Sequence, residues 1–204
     1  MTKRLLGLAA LLASWCMGAA DAGAQDFTRL TAHQPLIIKG STTTPIGALG
    51  FCKARPADCV AEGPAAPVEL TAARWRELED INRQVNTEVV PVTDQDFYHL
   101  REVWTYPNGY GDCEDFALGK RRALIELGWP AGTLLMALVR QSNGNAHAVL
   151  VASTSIGDLV LDNLVDEVRG WDETAYKFVK MQTPHAMDAW VDVEDDRTLW
   201  VASK

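Results

Sequence analysis

The chain has 204 residues, 48% of them hydrophobic and 23% charged, with a formal net charge of −8. That composition suits one globular domain with a substantial core. The acidic balance argues against nucleic acid and against an anionic membrane surface as partners, and leaves room for divalent cations.

The first 24 residues read as a targeting segment rather than as part of the domain. Lys3 and Arg4 make a short basic start, and Leu5 to Ala20 runs sixteen residues without charge. Ala22-Gly23-Ala24 then supplies the small residues of a signal-peptidase site before Gln25. Sixteen residues are short for a membrane span and no later stretch qualifies. The expectation is therefore a signal peptide over residues 1–24, export, and no membrane insertion after cleavage. A lipoprotein reading through Cys16 is opposed by the bulky Trp15 before it. Cleavage removes Lys3, Arg4 and Asp21, which leaves 17 Lys+Arg against 26 Asp+Glu and a charge of −9.

Residues 25–204 then form a single domain. Residues 25–69, rich in Thr, Pro, Gly and Ala, predict an irregular segment wrapping it. Within them, FCKARPADC places Cys52 and Cys59 around a spacer turned by Pro56. A local disulfide is the reading, since half of a metal site would need a second CxxC or a nearby His. Cys113 is then left over, and reactivity is the leading reason to keep a free thiol in an exported protein.

From Thr71 to Val89, Trp75, Leu78, Ile81 and Val85 recur at helical spacing among charged residues. They predict an amphipathic helix with Thr71 as N-cap, closed by Pro91. Residues 92–111 read as loop plus a short helical turn. A second helix is expected from Cys113 to Leu127, with Asp112 as N-cap and acids in its first turn. Lys120, Arg121 and Arg122 follow. Phe116, Ala117, Leu124 and Leu127 trace its buried stripe with Ala123 beside it, and Gly128 and Pro130 stop it. Leu134–Arg140 and Ala146–Ser153 flank the Asn143-Gly144 turn as a hairpin, and Leu159–Asp162 follows. Tyr176–Gln182, Ala189–Val193 and Thr198–Ala202 are further strand candidates. Helices first and an antiparallel sheet second make an α+β domain.

Three residues fall in an order that suits thiol acyl transfer. Cys113 opens a helix, whose unpaired N–H groups and partial positive charge favour a thiolate and can hold an oxyanion. His147, early in a strand, can take the thiol proton and return it to a leaving group. Asp162 can fix the imidazole tautomer. His147 and Asp162 lie on two arms of one hairpin, within cross-strand reach. Each also has a plainer reading: a small buried cysteine, a hydrogen-bonded core histidine, an aspartate capping a turn with Asn163.

The same stretch, YGDCEDFAL, surrounds Cys113 with Asp112, Glu114 and Asp115, and neighbouring carboxylates repel a thiolate. On a helix Asp112 and Asp115 share a face with Glu114 beside them, all turned partly away from the sulfur. A bound divalent cation would cancel that repulsion, and an all-oxygen set suits calcium. Capping and helix-dipole complementarity account for one or two acids, less easily for three.

GDCEDFALGKRRALIELGWP, followed by NAHAVLV and LVLDN, resembles the bacterial transglutaminase-like cysteine peptidases, the group that includes the LapG-type periplasmic adhesin proteases. INRQVNTEVVPVTDQDFY and the region of Trp104 are similar too, so the likeness spans roughly residues 35–180. The resemblance implies a papain/transglutaminase-like fold in the periplasm, with Cys113 as nucleophile, His147 as general base and acid, and Asp162 as orienter. It implies calcium next to the nucleophile, held by Asp112 and Glu114; Asp115 joins them by helical geometry and the shared motif. It further implies a protein substrate, a large surface adhesin whose cleavage controls biofilm attachment, and sequestration by an inner-membrane cyclic di-GMP receptor. An acyl transferase, in which an amine replaces water, and a calcium-responsive binding module with a relic triad are the other readings of the same residues.

Overall fold

Near-continuous apolar runs along the central strands set the architecture: successive side chains point to opposite faces, and both faces of these strands are covered. The computed structural model describes residues 31–198 apart from Glu62 and Pro64. The expected signal peptide and Cys16 lie outside the described residues, as does the strand expected over 198–202 beyond its first residue. The sheet is formed by β1 (Ile37–Thr42), β4 (Leu134–Arg140), β5 (Ala146–Thr154), β6 (Gly157–Leu161), β7 (Arg169–Gly170), β8 (Lys177–Thr183) and β9 (Ala186–Glu194). Its order is β1-β9-β8-β4-β5-β6-β7, with every neighbouring pair antiparallel. A separate parallel pair joins β2 (Val90–Pro91) to β3 (Tyr110–Gly111).

Leu134, Met136, Leu150, Ala152, Leu159 and Leu161 point to one side of the sheet and pack under the helices. Leu135, Ala137, Val139, Val149, Val151 and Val160 point to the other, where Leu36, Trp171 and Phe178 close a second cluster. The helices are α1 (Ile46–Ala54), α2 (Ala72–Glu88), the single turn α3 (Asp94–Phe97) and α4 (Cys113–Glu126). The result is the expected α+β arrangement.

α2 follows its sequence signals. Thr71 caps it by accepting from the Arg74 N–H at 3.2 Å, and Trp75, Leu78, Ile81 and Val85 are buried. α4 ends where Gly128 takes a φ of +85°, a left-handed backbone that glycine adopts without strain. The N–H groups of Gly128 and Trp129 close that end on the carbonyls of Ile125 and Leu124. Leu127, expected in the buried stripe, is instead about half exposed, because the helix has ended before it. Leu118 and Lys120, by contrast, are fully buried. α4 lies between the sheet and α2, so its burial runs well beyond one stripe.

The expectation of an irregular segment over 25–69 is corrected. β1 is an edge strand held by backbone pairing to β9, and Ile37 and Ile38 remain exposed, so no alternation marks it. α1 carries Gly47 and Gly50, which read as breakers. A Cβ at Gly47 would stand 2.1 Å from the Trp104 indole, so this glycine makes room for an aromatic side chain rather than for a turn. Cys52 in α1 is bonded to Cys59 in the 3₁₀ turn Pro56–Cys59. Gly47→Ala is expected to cost about 1–3 kcal/mol by overpacking, since Trp104 is buried and also meets Trp190 at 6.0 Å. Urea unfolding of the variant measures it, and an unchanged midpoint would contradict this packing account.

Candidate active site and acidic cluster

α4 begins at Cys113 because Asp112 is extended, φ −107° and ψ −165°, while its carbonyl already accepts the first helical N–H, from Phe116 at 3.1 Å. Asp112 therefore occupies the N-cap position, but its side chain makes no capping hydrogen bond, contrary to expectation. Cys113 is the one free cysteine among the described residues and is partly exposed. Its thiol donates to Glu114 Oε2 at 2.9 Å, so Glu114 turns toward the sulfur rather than away from it. The Ala148 N–H of β5 also reaches the sulfur. Burial first, then the charge and hydrogen bond of Glu114, push the Cys113 thiol well above the usual thiol range.

Next to Ala148, the buried His147 places Nε2 2.8 Å from Asp162 Oδ1. Leu150 faces Leu161 across β5 and β6. That register puts Asp162 beside Val149, so the His147 contact is diagonal rather than directly cross-strand. Asp162 also accepts from the Leu164 N–H at 3.1 Å and from the Tyr176 hydroxyl. Burial alone would raise the Asp162 pKa. The hydrogen bonds and charge of His147, with the Tyr176 and Leu164 bonds, outweigh it and hold the carboxyl below its ordinary value. With Nε2 directed at Asp162, Nδ1 is the imidazole nitrogen free to act elsewhere. Cys113 and His147 line one cleft of about 360 Å³ with Asp112, Gln141, Asn163 and Leu164. A larger cavity, about 420 Å³ around Arg55, Tyr106 and Arg121, is lined by neither cysteine nor histidine.

Beside the sulfur, Asp94, Asp112 and Glu114 bring carboxylate oxygens within 4.8 Å of one another. Asp94 was not among the acids expected from the sequence. It stands at the first position of α3, whose N-cap Thr93 accepts from the Asp96 N–H at 3.2 Å, and it accepts from the Val103 N–H. Asp112 Oδ2 accepts from the Asp94 N–H at 3.4 Å, while Asp112 Oδ1 is buried with no partner. Burial raises all three carboxyls; for Asp112 the charge of Asp94 adds to it, and for Glu114 the charge of Asp112. Asp115 lies outside this cluster. Its Oδ1 accepts from the Thr105 N–H at 2.8 Å, and burial pushes its carboxyl up to about 7. It packs against Gly111, where a Cβ would come within 2.6 Å of the Asp115 Cβ.

A cysteine at a helix N-terminus and a histidine on an antiparallel sheet share this cleft, an arrangement that suits a cysteine peptidase of papain/transglutaminase-like fold. The family model for the bacterial transglutaminase-like cysteine proteinases (BTLCP) matches residues 38–198, and the chain belongs to that family. It is similar to the calcium-bound structure of LapG from Legionella pneumophila, with a TM-score of 0.50 and 26% identity over 61% of this chain and 74% of that one. Another LapG structure from that organism gives a TM-score of 0.49 at 26% identity, covering 59% of this chain and 69% of that one. An EGTA-treated LapG gives 0.49 at 25%, covering 61% and 69%. No curated protein matches the chain. Among the described residues no helix is long and apolar enough to cross a membrane.

The Cys113–Glu114 contact yields a direct expectation. In EGTA and above about pH 8, where the Glu114 carboxyl, pushed up to about 8 by burial and by Asp112, is ionised, Glu114→Gln should alkylate at Cys113 roughly tenfold faster than the unaltered chain, because one pKa unit lost from the thiol is about tenfold in thiolate. Iodoacetamide kinetics followed by intact mass give the rate, and a rate no faster than that of the unaltered chain would show that Glu114 does not restrain the sulfur.

Proposed function

We propose that this chain is an exported, calcium-activated cysteine endopeptidase using Cys113, His147 and Asp162. The observation that carries the reading is the 2.8 Å contact of His147 with Asp162 at the cleft that Cys113 also lines. His147 Nδ1 takes the Cys113 proton, and the sulfur attacks a peptide carbonyl to form a tetrahedral oxyanion. The N–H groups of the first α4 turn face that charge. The imidazolium gives its proton to the departing amine, and water, deprotonated by the same imidazole, releases the acyl group from sulfur. Asp162 holds Nε2–H throughout and so keeps Nδ1 free for the proton.

The cluster beside Cys113 fits a hard cation. Its donors are all carboxylate oxygens, and the buried, unpartnered Oδ1 of Asp112 offers an additional ligand atom. Asp94, Asp112 and Glu114 are the residues that would hold calcium; Asp115, tied to Thr105, is the least suited of the acids proposed for this role. Bound there, calcium would compensate the three negative charges and occupy the Glu114 carboxylate that accepts the thiol.

The substrate of a peptidase is a protein. The resemblance to LapG-type proteases makes a large surface adhesin the substrate to test, in the periplasm, and an inner-membrane cyclic di-GMP receptor the partner to test. Mass spectrometry of proteins shed from cells carrying the unaltered gene or Cys113→Ala should find a large surface protein released only by the former. Asp112→Ala should lose calcium binding and release together. Equal shedding from the Cys113→Ala strain would end the peptidase reading, and full release by Asp112→Ala in chelator would end the calcium one.

A further inference from the structure

Lys120 is fully buried in α4, and its Nζ has no hydrogen-bond partner. Its neighbour Arg121, also buried, is in a different position: its Nε donates to the Leu134 carbonyl at 3.1 Å. A buried ammonium with idle donors is costly, and hydrophobic residues of similar volume commonly replace such groups at no loss of stability. Lys120 must therefore earn its place by something other than folding.

Its surroundings indicate what. Seven residues on from Cys113, Lys120 lies on the same side of α4, two turns further along. Its Nζ is 6.0 Å from the Phe116 ring centroid, and the charges that bear on it are Asp162 and Asp166. From α2, Asn82 and Asn86 reach the same loop. Asn82 Nδ2 donates to the carbonyls of Val165 and Asp166 at 3.0 and 2.9 Å. Asn86 Nδ2 donates to the Asp162 carbonyl and to Asp166 Oδ1, both at 2.9 Å. The Oδ1 atoms of both asparagines are buried without partners. Two amides thus hold residues 162–166, the loop that begins with the acid bonded to His147, and the buried ammonium's charge bears on the carboxylates of Asp162 and Asp166.

We propose that Lys120 is a positioning residue, whose buried ammonium, acting with the Asn82 and Asn86 amides that hold the 162–166 loop, keeps Asp162 aimed at His147 Nε2. This rests on the reading of Asp162 as the orienting acid. A positive charge in a water-poor seam acts strongly over several ångströms, so it steadies the carboxylate without touching it. Burial lowers the Lys120 pKa to about 7 from 10.5. The folded chain therefore binds this proton more weakly than the unfolded one. The resulting penalty on stability is full below about pH 7 and fades as pH rises toward 10.5.

Lys120→Met, Lys120→Arg and Asp162→Asn, each in the full mature chain with saturating calcium chloride, separate the possibilities. The readouts are Tm, the iodoacetamide rate at Cys113, and the low-field proton resonance of the His147–Asp162 hydrogen bond. Lys120→Met is expected to match or exceed the parent Tm, most clearly below neutral pH. It should react about tenfold more slowly at Cys113 and shift or lose the low-field proton. Lys120→Arg, which keeps the charge, should recover most of the rate. A parent-like rate and resonance in Lys120→Met, with Asp162→Asn impaired, overturns the role of Lys120 and leaves that of Asp162. Failure of both Lys120 variants to fold overturns it as well, since a packing role would then suffice. A parent-like rate in Asp162→Asn removes the underlying reading and the proposal with it.

Discussion

The hydrogen bond from the Cys113 thiol to Glu114 is the interaction on which the rest of this site turns. A sulfur at the start of a helix should lose its proton readily, since the helix end favours negative charge. Here a carboxylate one residue on takes that hydrogen bond, and Asp112 adds to the repulsion. The sulfur is thus held as a thiol even though His147, already bonded to Asp162, lines the same cleft. On the proposed account the acids are an inhibitory clamp that a cation releases, and calcium dependence is built into the nucleophile's own surroundings.

The fold supplies the parts of that clamp from distant segments. α4 brings Cys113 and Glu114, the residue before it brings Asp112, and α3 brings Asp94. The parallel pairing of Val90–Pro91 with Tyr110–Gly111 fastens α3 beside the start of α4. β5 carries His147 and Ala148 past the sulfur, and the turn after β6 presents Asp162. α4, β5 and β6 are anchored by the two apolar clusters on either face of the sheet, whereas α3 is held by its backbone and side-chain hydrogen bonds. Small displacements at the site would therefore meet a packed interior, and the proposed adjustment falls on side chains such as Glu114.

Much of this was legible in the residues because the signals were local. Thr71 and the 75-78-81-85 stripe mark α2, Gly128 marks the end of α4, and Asn143-Gly144 marks the β4–β5 hairpin. These depend on period and turn chemistry within a few residues. β1 was not legible, because an exposed edge strand needs only its backbone to pair with β9. α1 was hidden for a different reason: the purpose of Gly47 is visible only once Trp104 lies against it. The acidic cluster shows the same limit. Helical geometry groups Asp115 with Asp112, but a Thr105 N–H claims its carboxylate, whereas Asp94 arrives from 18 residues upstream of Asp112. Lys120, read as one of three basic residues later in the helix, proved to be buried because α4 is enclosed on more than one side.

The most direct measurement of the central claim is the rate at which iodoacetamide modifies Cys113 in the mature chain as free calcium is varied from EGTA to saturation. The account predicts a rate that rises at least about tenfold along a single saturable curve, as the thiol is released from Glu114 to His147. A rate that is the same at both ends of the titration would contradict it.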